Sequence, residues 1–379
     1  MSRKCSKTFS KNTKILIISA LAIIFIASII VWPYQYRNFK LTSEIAPALR
    51  VFYYNQSHHT SDPVKNCWYD SGDYIVFSFR NLESLYYLSL AYKYSTNSEV
   101  KQDLLRTINS QLPCTDKMLS DGWKQFRDQD SHGSNLPPLL HQLFYPQNFY
   151  RLQTDEGKEL FALRALVAQN LGDSQSMNFY RTKSAQTKLK TTSENCCEEG
   201  PLVMSDQDFT ELLALNGLAI PEKQLNGSGW AISFENIRLI QEKKYDKIKK
   251  LLLAVQQKWT DQALQFDYIG GNYDIAGTIA IEKLYEKETN DYSFRPLSDS
   301  LYDYLHAKNA YHIDFTEYEK THHPCGQWWA TCNLHETLIN GIDEELSFDP
   351  ERRDIWRMTE IQLVGQARYI LAMVLYNDY

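Results

Sequence analysis

From Ile15 to Tyr36 the chain carries no charge, and Ile15–Trp32 is almost wholly Ile, Leu, Ala, Val and Phe. About 20 apolar residues are what an α-helix needs to cross the hydrocarbon core of a bilayer. A run of this length belongs in lipid, so the rest of the chain must fold on one side of it. Five basic residues (Arg3, Lys4, Lys7, Lys11, Lys14) and no acidic one precede the run. The positive-inside rule then keeps residues 1–14 in the cytoplasm and exports the chain beyond the run. A cleaved signal peptide is the competing reading, but its apolar core is usually about 7–15 residues and ends in small side chains. This run is longer and ends Ile29-Ile30-Val31-Trp32-Pro33-Tyr34, an aromatic flank suited to a membrane interface, while Ala27-Ser28 leaves cleavage open. The sequence thus divides into a cytoplasmic basic segment (1–14), a transmembrane signal-anchor (15–36) and one domain (40–379) on the periplasmic, extracellular or luminal side.

Charge narrows the partners of that domain. The 379 residues hold 40 Lys+Arg and 46 Asp+Glu, and beyond residue 36 the balance is 35 basic against 46 acidic, a net of −11. Such a surface repels polyphosphate, which excludes nucleic acid as the main partner. With 43% hydrophobic and 13% aromatic residues, the chain can bury a sizeable core and is too apolar for a disordered one. Six cysteines lie beyond the membrane segment: Cys67, Cys114, Cys196, Cys197, Cys325 and Cys332. In an oxidising compartment all six can pair, with a connectivity the sequence leaves open, although some could equally be buried thiols. No Cys-x-x-Cys spacing suggests zinc.

From residue 40 onward the apolar spacing is mostly helical. Leu82, Leu85, Tyr86, Ser89 and Tyr92 share a face, as do Leu160, Leu163, Val167 and Leu171, the latter followed by Gly172 as a C-cap. Further stripes run through Ile237–Trp259, Ile275–Leu284, Leu301–Leu305 and Ile361–Val374. Period-2 runs are nearly absent, and Tyr74-Ile75-Val76-Phe77 is the best strand candidate. The pattern predicts an all-α domain of sequential helix pairs, joined by long polar and aromatic loops at Asp121–Pro138, Ser184–Pro201 and Phe315–Arg353. A loop of the last one's length inside a compact domain is more often functional than idle.

Two places could carry chemistry. Trp68-Tyr69-Asp70-Ser71-Gly72-Asp73-Tyr74 sets two carboxylates around a Ser-Gly turn among aromatics. Alone, it reads equally well as a turn and helix-capping pair. Trp356-Arg357-Met358-Thr359-Glu360-Ile361-Gln362-Leu363 opens the last apolar helix, where a Glu is ordinarily a favourable charge near the positive end of the dipole. Together they suggest more. Glycoside hydrolysis needs one ionised and one protonated carboxyl group flanking the scissile bond, and helix pairs closing into a ring would bring Asp70 and Asp73 opposite Glu360.

Four stretches, in order, resemble glycoside hydrolase family 9, the inverting cellulase-type family. Ala48–Ser57 resembles the segment entering the catalytic module, and Trp68–Tyr74 resembles its W-[YH]-D-A-G-D-[YH] signature with Ser71 for Ala. Asp303–Asn309, followed by His322-His323-Pro324, resembles the late D-Y-L-L-G-x-N stretch and its His-containing substrate loop. Thr359–Ala367 resembles the terminal N-E-V-A-I-D-W-N-A motif. The resemblance covers about 46–376 and implies an (α/α)6 toroid, somewhat shortened. It implies Asp73 as general base, Asp70 as the assisting carboxylate and Glu360 as general acid, with Trp68, Tyr74, His322 and His323 as substrate-binding residues. Trp328 and Trp329, in the Cys325–Cys332 loop, are further candidates for sugar stacking. No organic cofactor is implied, and for the family's structural calcium no ligand set is identifiable.

The departures are Thr359 for Asn, Pro324 for an Arg that normally lines the sugar site, and Gln362, Gly365 and Gln366 in the terminal motif. The expected function is membrane-anchored hydrolysis of a β-1,4-linked glucan or related polysaccharide. Exo-action on amino-sugar oligosaccharides and a catalytically inactive glycan-binding toroid are the alternatives.

Overall fold

The computed structural model describes residues 41–53 except 43, 66–70, 75–128, 147–151, 154–187, 234–260, 271–309, 312–317, 321–322, 331–332, 338–339 and 361–377. The basic segment and the apolar run at 15–36 lie outside the described residues. Among those described, no helix is long and apolar enough to cross a membrane.

Residues 44–53 are helical. They are followed by α1 (Ser78–Tyr94), α2 (Ser98–Asp121), α3 (Thr154–Leu171), α4 (Ser174–Gln186), α5 (Phe234–Gln241), α6 (Tyr245–Thr260), α7 (Gly271–Thr289), α8 (Arg295–Leu305) and α9 (Leu363–Asn377). Several of these helix ends show the local chemistry that sets them. The Asn97 carboxamide accepts the N–H groups of Glu99 and Val100 to open α2, and Gly122, at φ +70°, closes it. Asp173 caps α4 through the Ser176 N–H, and Gly172, at φ +77°, ends α3, as its position after the apolar stripe predicts.

The helices pack as sequential pairs, α1 on α2, α3 on α4, α5 on α6 and α7 on α8. A second set of contacts, α3 to α1, α1 to α9 and α9 to α7, builds one continuous wall. In this wall α1, α7 and α9 are buried round most of their circumference. Their stripes are therefore wider than single apolar faces, because each has wall neighbours beside it as well as packing behind. Four contacts show α1, α7 and α9 running parallel. Arg368, near the start of α9, reaches Glu83 near the start of α1 at 3.1 Å and Asp274 near the start of α7 at 3.7 Å. At the far ends, Lys283 lies over the Tyr376 ring at 5.3 Å and Lys287 over Tyr94 at 5.1 Å.

Strand structure is small. β1 (Ile75–Phe77), β2 (Trp123–Asp128) and β3 (Gln147–Arg151) form an antiparallel sheet in that order, with Val76 opposite Phe126 and Phe126 opposite Phe149. β1 falls where the sequence places its strand candidate. β2 and β3 carry Lys, Gln, Arg and Asp between their aromatics, which hides them from a search for alternating apolar residues. β4 (Thr321–His322) and β5 (Thr331–Cys332) make a short antiparallel ribbon within the segment expected to be a loop.

Candidate active site

The segment 67–70 is held from three directions. Cys67 is bonded to Cys114 of α2, with a Cα–Cα distance of 5.4 Å. The Asn81 carboxamide, buried in α1, accepts the Trp68 N–H at 3.1 Å and donates to the Trp68 carbonyl at 2.9 Å. Its nitrogen also reaches the Phe77 carbonyl, and Gln111 of α2 donates to its oxygen. Finally the N–H of Leu363, the first residue of α9, donates to the Asp70 carbonyl at 2.8 Å. That N–H is one of the donors a helix start leaves without an intrahelical partner, and here the Asp70 loop satisfies it. The two ends of the domain sequence thereby meet, as the ring expectation required. Glu83 and Arg368, 285 residues apart in sequence, form the ion pair beside this junction.

Asp70 is mostly buried, and burial raises its carboxyl pKa above the usual carboxylate range. Arg80, 4.0 Å away, works against that rise, and Glu83 adds to it. Beneath Asp70 the charges alternate. Arg80 meets Glu83 at 3.2 Å, Glu83 meets Arg368, and Arg368 meets Asp274. Glu83 is 3% exposed and Arg368 14%. Burial disfavours the charge on Arg368, but Tyr87, Glu83 and Asp274 together hold its pKa above the ordinary arginine value. Its guanidinium also lies 5.4 Å from the Tyr87 ring centroid.

Asp70 is not a helix cap. α1 begins after β1 with Phe77 at its N-cap, which makes no side-chain cap bond. Trp68 lies in the core at 1% exposure, its ring 4.8 Å from that of Phe52. This leaves no ring face for a sugar, and the residue instead anchors the loop. α9 begins at Leu363, later than the apolar spacing suggested, with Ile361 and Gln362 ahead of it outside the helix. Asp73, Tyr74, His323, Trp328, Trp329 and Glu360 lie outside the described residues. His322 is in β4, paired with Thr331. Among the described residues no group of three or more His, Cys, Asp or Glu side chains is placed to hold a metal ion.

Sequence reading missed Asn81, Glu83, Tyr273 and Arg368. The available signal was a polar or charged residue inside an otherwise apolar helix. Tyr273 lies in the first turn of α7, and its hydroxyl accepts the Gln362 N–H at 2.9 Å.

A helical wall in which α1 and the last helix, α9, pack side by side, with the Asp70 loop across their junction, defines the class: an all-α domain of paired helices with its candidate site at the N-terminal ends of the inner helices. The sequence matches no protein-family model and no curated protein. Among solved structures, the fold is similar to glycoside hydrolase family 9 enzymes. The cellulase Cel9M of C. cellulolyticum is 14% identical with a TM-score of 0.65, covering 89% of this chain and 98% of its own. A thermostable endoglucanase from Alicyclobacillus acidocaldarius is 12% identical with a TM-score of 0.64, covering 89% and 84%. A metagenome-derived family 9 endoglucanase is 13% identical with a TM-score of 0.62, covering 89% and 81%. Cel9M has also been solved in complex with cellobiose. The fold of this chain is that of the family 9 toroid.

Proposed function

We propose that this chain is a membrane-tethered glycoside hydrolase that cleaves a β-1,4-linked glucan or a related polysaccharide with inversion. The observation that carries the reading is the Leu363–Asp70 hydrogen bond. It joins the loop bearing Asp70 and Asp73 to the segment just past Glu360, within a fold shared with cellulases, one of which binds cellobiose. In this reading Asp73 activates water, Asp70 helps to hold it, and Glu360 protonates the leaving oxygen. The Cys67–Cys114 disulfide supports export, since such bonds persist in oxidising compartments. The uncharged run at 15–36 supports retention at the membrane.

The test uses the ectodomain on soluble β-glucan and on an aryl β-cellobioside with a good leaving group. Glu360→Gln and Asp73→Asn should each lower turnover on the glucan by about 10²–10⁴-fold, the usual worth of acid–base assistance. Only the Glu360→Gln variant should recover on the aryl substrate, because only Glu360 supplies a proton to the departing oxygen. Proton NMR should show the α-anomer first, as inversion demands. First release of the β-anomer, or near-parent activity in both variants, overturns the reading.

A further inference from the structure

At and just before the start of α9 stand three residues that depart from the family's closing motif, Gln362, Gly365 and Gln366, and each has a partner. The Gln362 N–H donates to the Tyr273 hydroxyl at 2.9 Å. That hydroxyl donates in turn to the Leu338 carbonyl at 3.3 Å. The Leu338 N–H then donates to the Gln366 side-chain oxygen at 3.0 Å, which closes the circuit on α9 itself. Gly365 sits directly under the Tyr273 ring. A Cβ placed there would come within 2.2 to 2.4 Å of three ring carbons, so no larger residue fits while the tyrosine stays. Tyr273 is buried, and the adjoining Asn272 reinforces the arrangement by donating to the Ile339 carbonyl at 3.1 Å.

The clasp has a definite geometry. A phenol offers one proton and accepts in return. Here the proton goes to Leu338 and the oxygen receives Gln362, so the ring's tilt and the hydroxyl's height are both fixed. Gln362 lies two residues past Glu360, and its carbonyl accepts the Gln366 N–H at 2.9 Å as the first helical bond of α9. The next residue, Leu363, holds the Asp70 carbonyl. One backbone unit therefore takes its position from Tyr273 on one side and passes it to the Asp70 loop on the other.

We propose that Tyr273 is a positioning residue for the general acid: its hydroxyl fixes the backbone immediately after Glu360 and its ring holds α9 at the distance that only Gly365 permits. This rests on the reading of Glu360 as the acid. Tyr273 does not touch the sugar; it acts through the chain. Displacing a catalytic group by about 1 Å can cost 10²-fold in rate, and the loss should fall on the step that needs the acid.

The experiment compares the parent ectodomain, Glu360→Gln and Tyr273→Phe on a cello-oligosaccharide and on 2,4-dinitrophenyl β-cellobioside. Tyr273→Phe keeps the ring over Gly365 and deletes only the hydroxyl. It should lower kcat on the oligosaccharide by about 10- to 100-fold, leave KM little changed, and leave the aryl glycoside within about twofold of parent, since a good leaving group needs no proton. Equal loss on both substrates, or no loss on either, overturns the proposal. If Glu360→Gln shows the leaving-group signature and Tyr273→Phe does not, the proposal falls alone. If the parent cleaves neither substrate, it falls together with the reading beneath it. Should Tyr273→Phe not fold, Gln362→Pro deletes the same hydrogen bond from the other side, at a helix start where proline is tolerated, and the same pair of substrates decides. Independently of activity, Gly365→Ala should unfold at lower temperature, and adding Tyr273→Ala should restore part of the loss; additive losses would overturn the ring–glycine pairing.

Discussion

The inner helices α7 and α9 and the exposed face of the outer helix α2 handle charge in opposite ways. On α2, Arg106 pairs with Asp103 at 3.0 Å, and the arginine is 79% exposed. In the wall, Arg368 of α9 pairs with Glu83 of α1 at 3.1 Å with both side chains largely out of water. On α7, Glu282, Lys283 and Glu286 are all buried, and Arg295 from the start of α8 reaches Glu286. An exposed pair exchanges water for a partner at little gain, whereas a buried one, once formed, leaves an uncompensated charge if either member is lost. The same chemistry is therefore decoration on the rim and a condition of assembly in the wall.

The largest expected effect comes from the wall. Arg368→Met should destabilise the protein by about 3–5 kcal/mol, because it removes the cation that Glu83 and Asp274 share in the interior. Urea unfolding would measure it, and a loss below about 1 kcal/mol, the scale of an exposed pair, would erase the distinction. Next is Glu282, whose carboxyl oxygens accept no hydrogen bond among the described residues. Burial pushes its pKa from 4.5 up to about 7 against the pull of Lys283. The folded form thus keeps a proton that the unfolded form has released. The stability this gives is complete below about pH 4.5 and is lost as pH rises through 7. Glu282→Gln should therefore stabilise the protein at pH 8 by up to about 3 kcal/mol and change little at pH 4. Melting curves at the two pH values would show it; equal shifts at both would mean that Lys283, 3.5 Å away, keeps the carboxyl ionised in the folded protein. The smallest effect belongs to the rim. Arg106→Ala should stay within about 0.5 kcal/mol of parent in the same unfolding assay, and a larger cost would show that exposed pairs matter here too.

The helices were legible because burial leaves a local trace. Leu160, Leu163, Val167 and Leu171 announce α3, and Gly172 announces its end. What the spacing could not give was the breadth of burial in α1, α7 and α9, since a stripe reads one face and a wall helix has three. Trp68 shows the opposite error: an aromatic beside an acidic turn suggests a stacking surface, yet its backbone bonds to Asn81 and its contact with Phe52 draw it inward. Asp70 and the start of α9 could be paired in advance only through the family resemblance, because no local periodicity reports on a contact across the whole domain. Tyr273 was invisible for the same reason. Its partners, Leu338, Gln362 and Gly365, are all distant in sequence, and a tyrosine at a helix start has no distinctive signature.

The closing of the wall also sets the order of biosynthesis. α9 is the last of the described elements to leave the ribosome, yet it supplies neighbours to both α1 and α7. Until it arrives, the apolar flanks of those two helices, and the buried Glu83, lack the neighbour that covers them. Sequential helix pairs can form as they emerge, since their contacts are local, but the circle waits for its final member, and long-range closure is the slow step in such folds. A nascent chain of this kind must stay shielded from aggregation for nearly the whole of its synthesis.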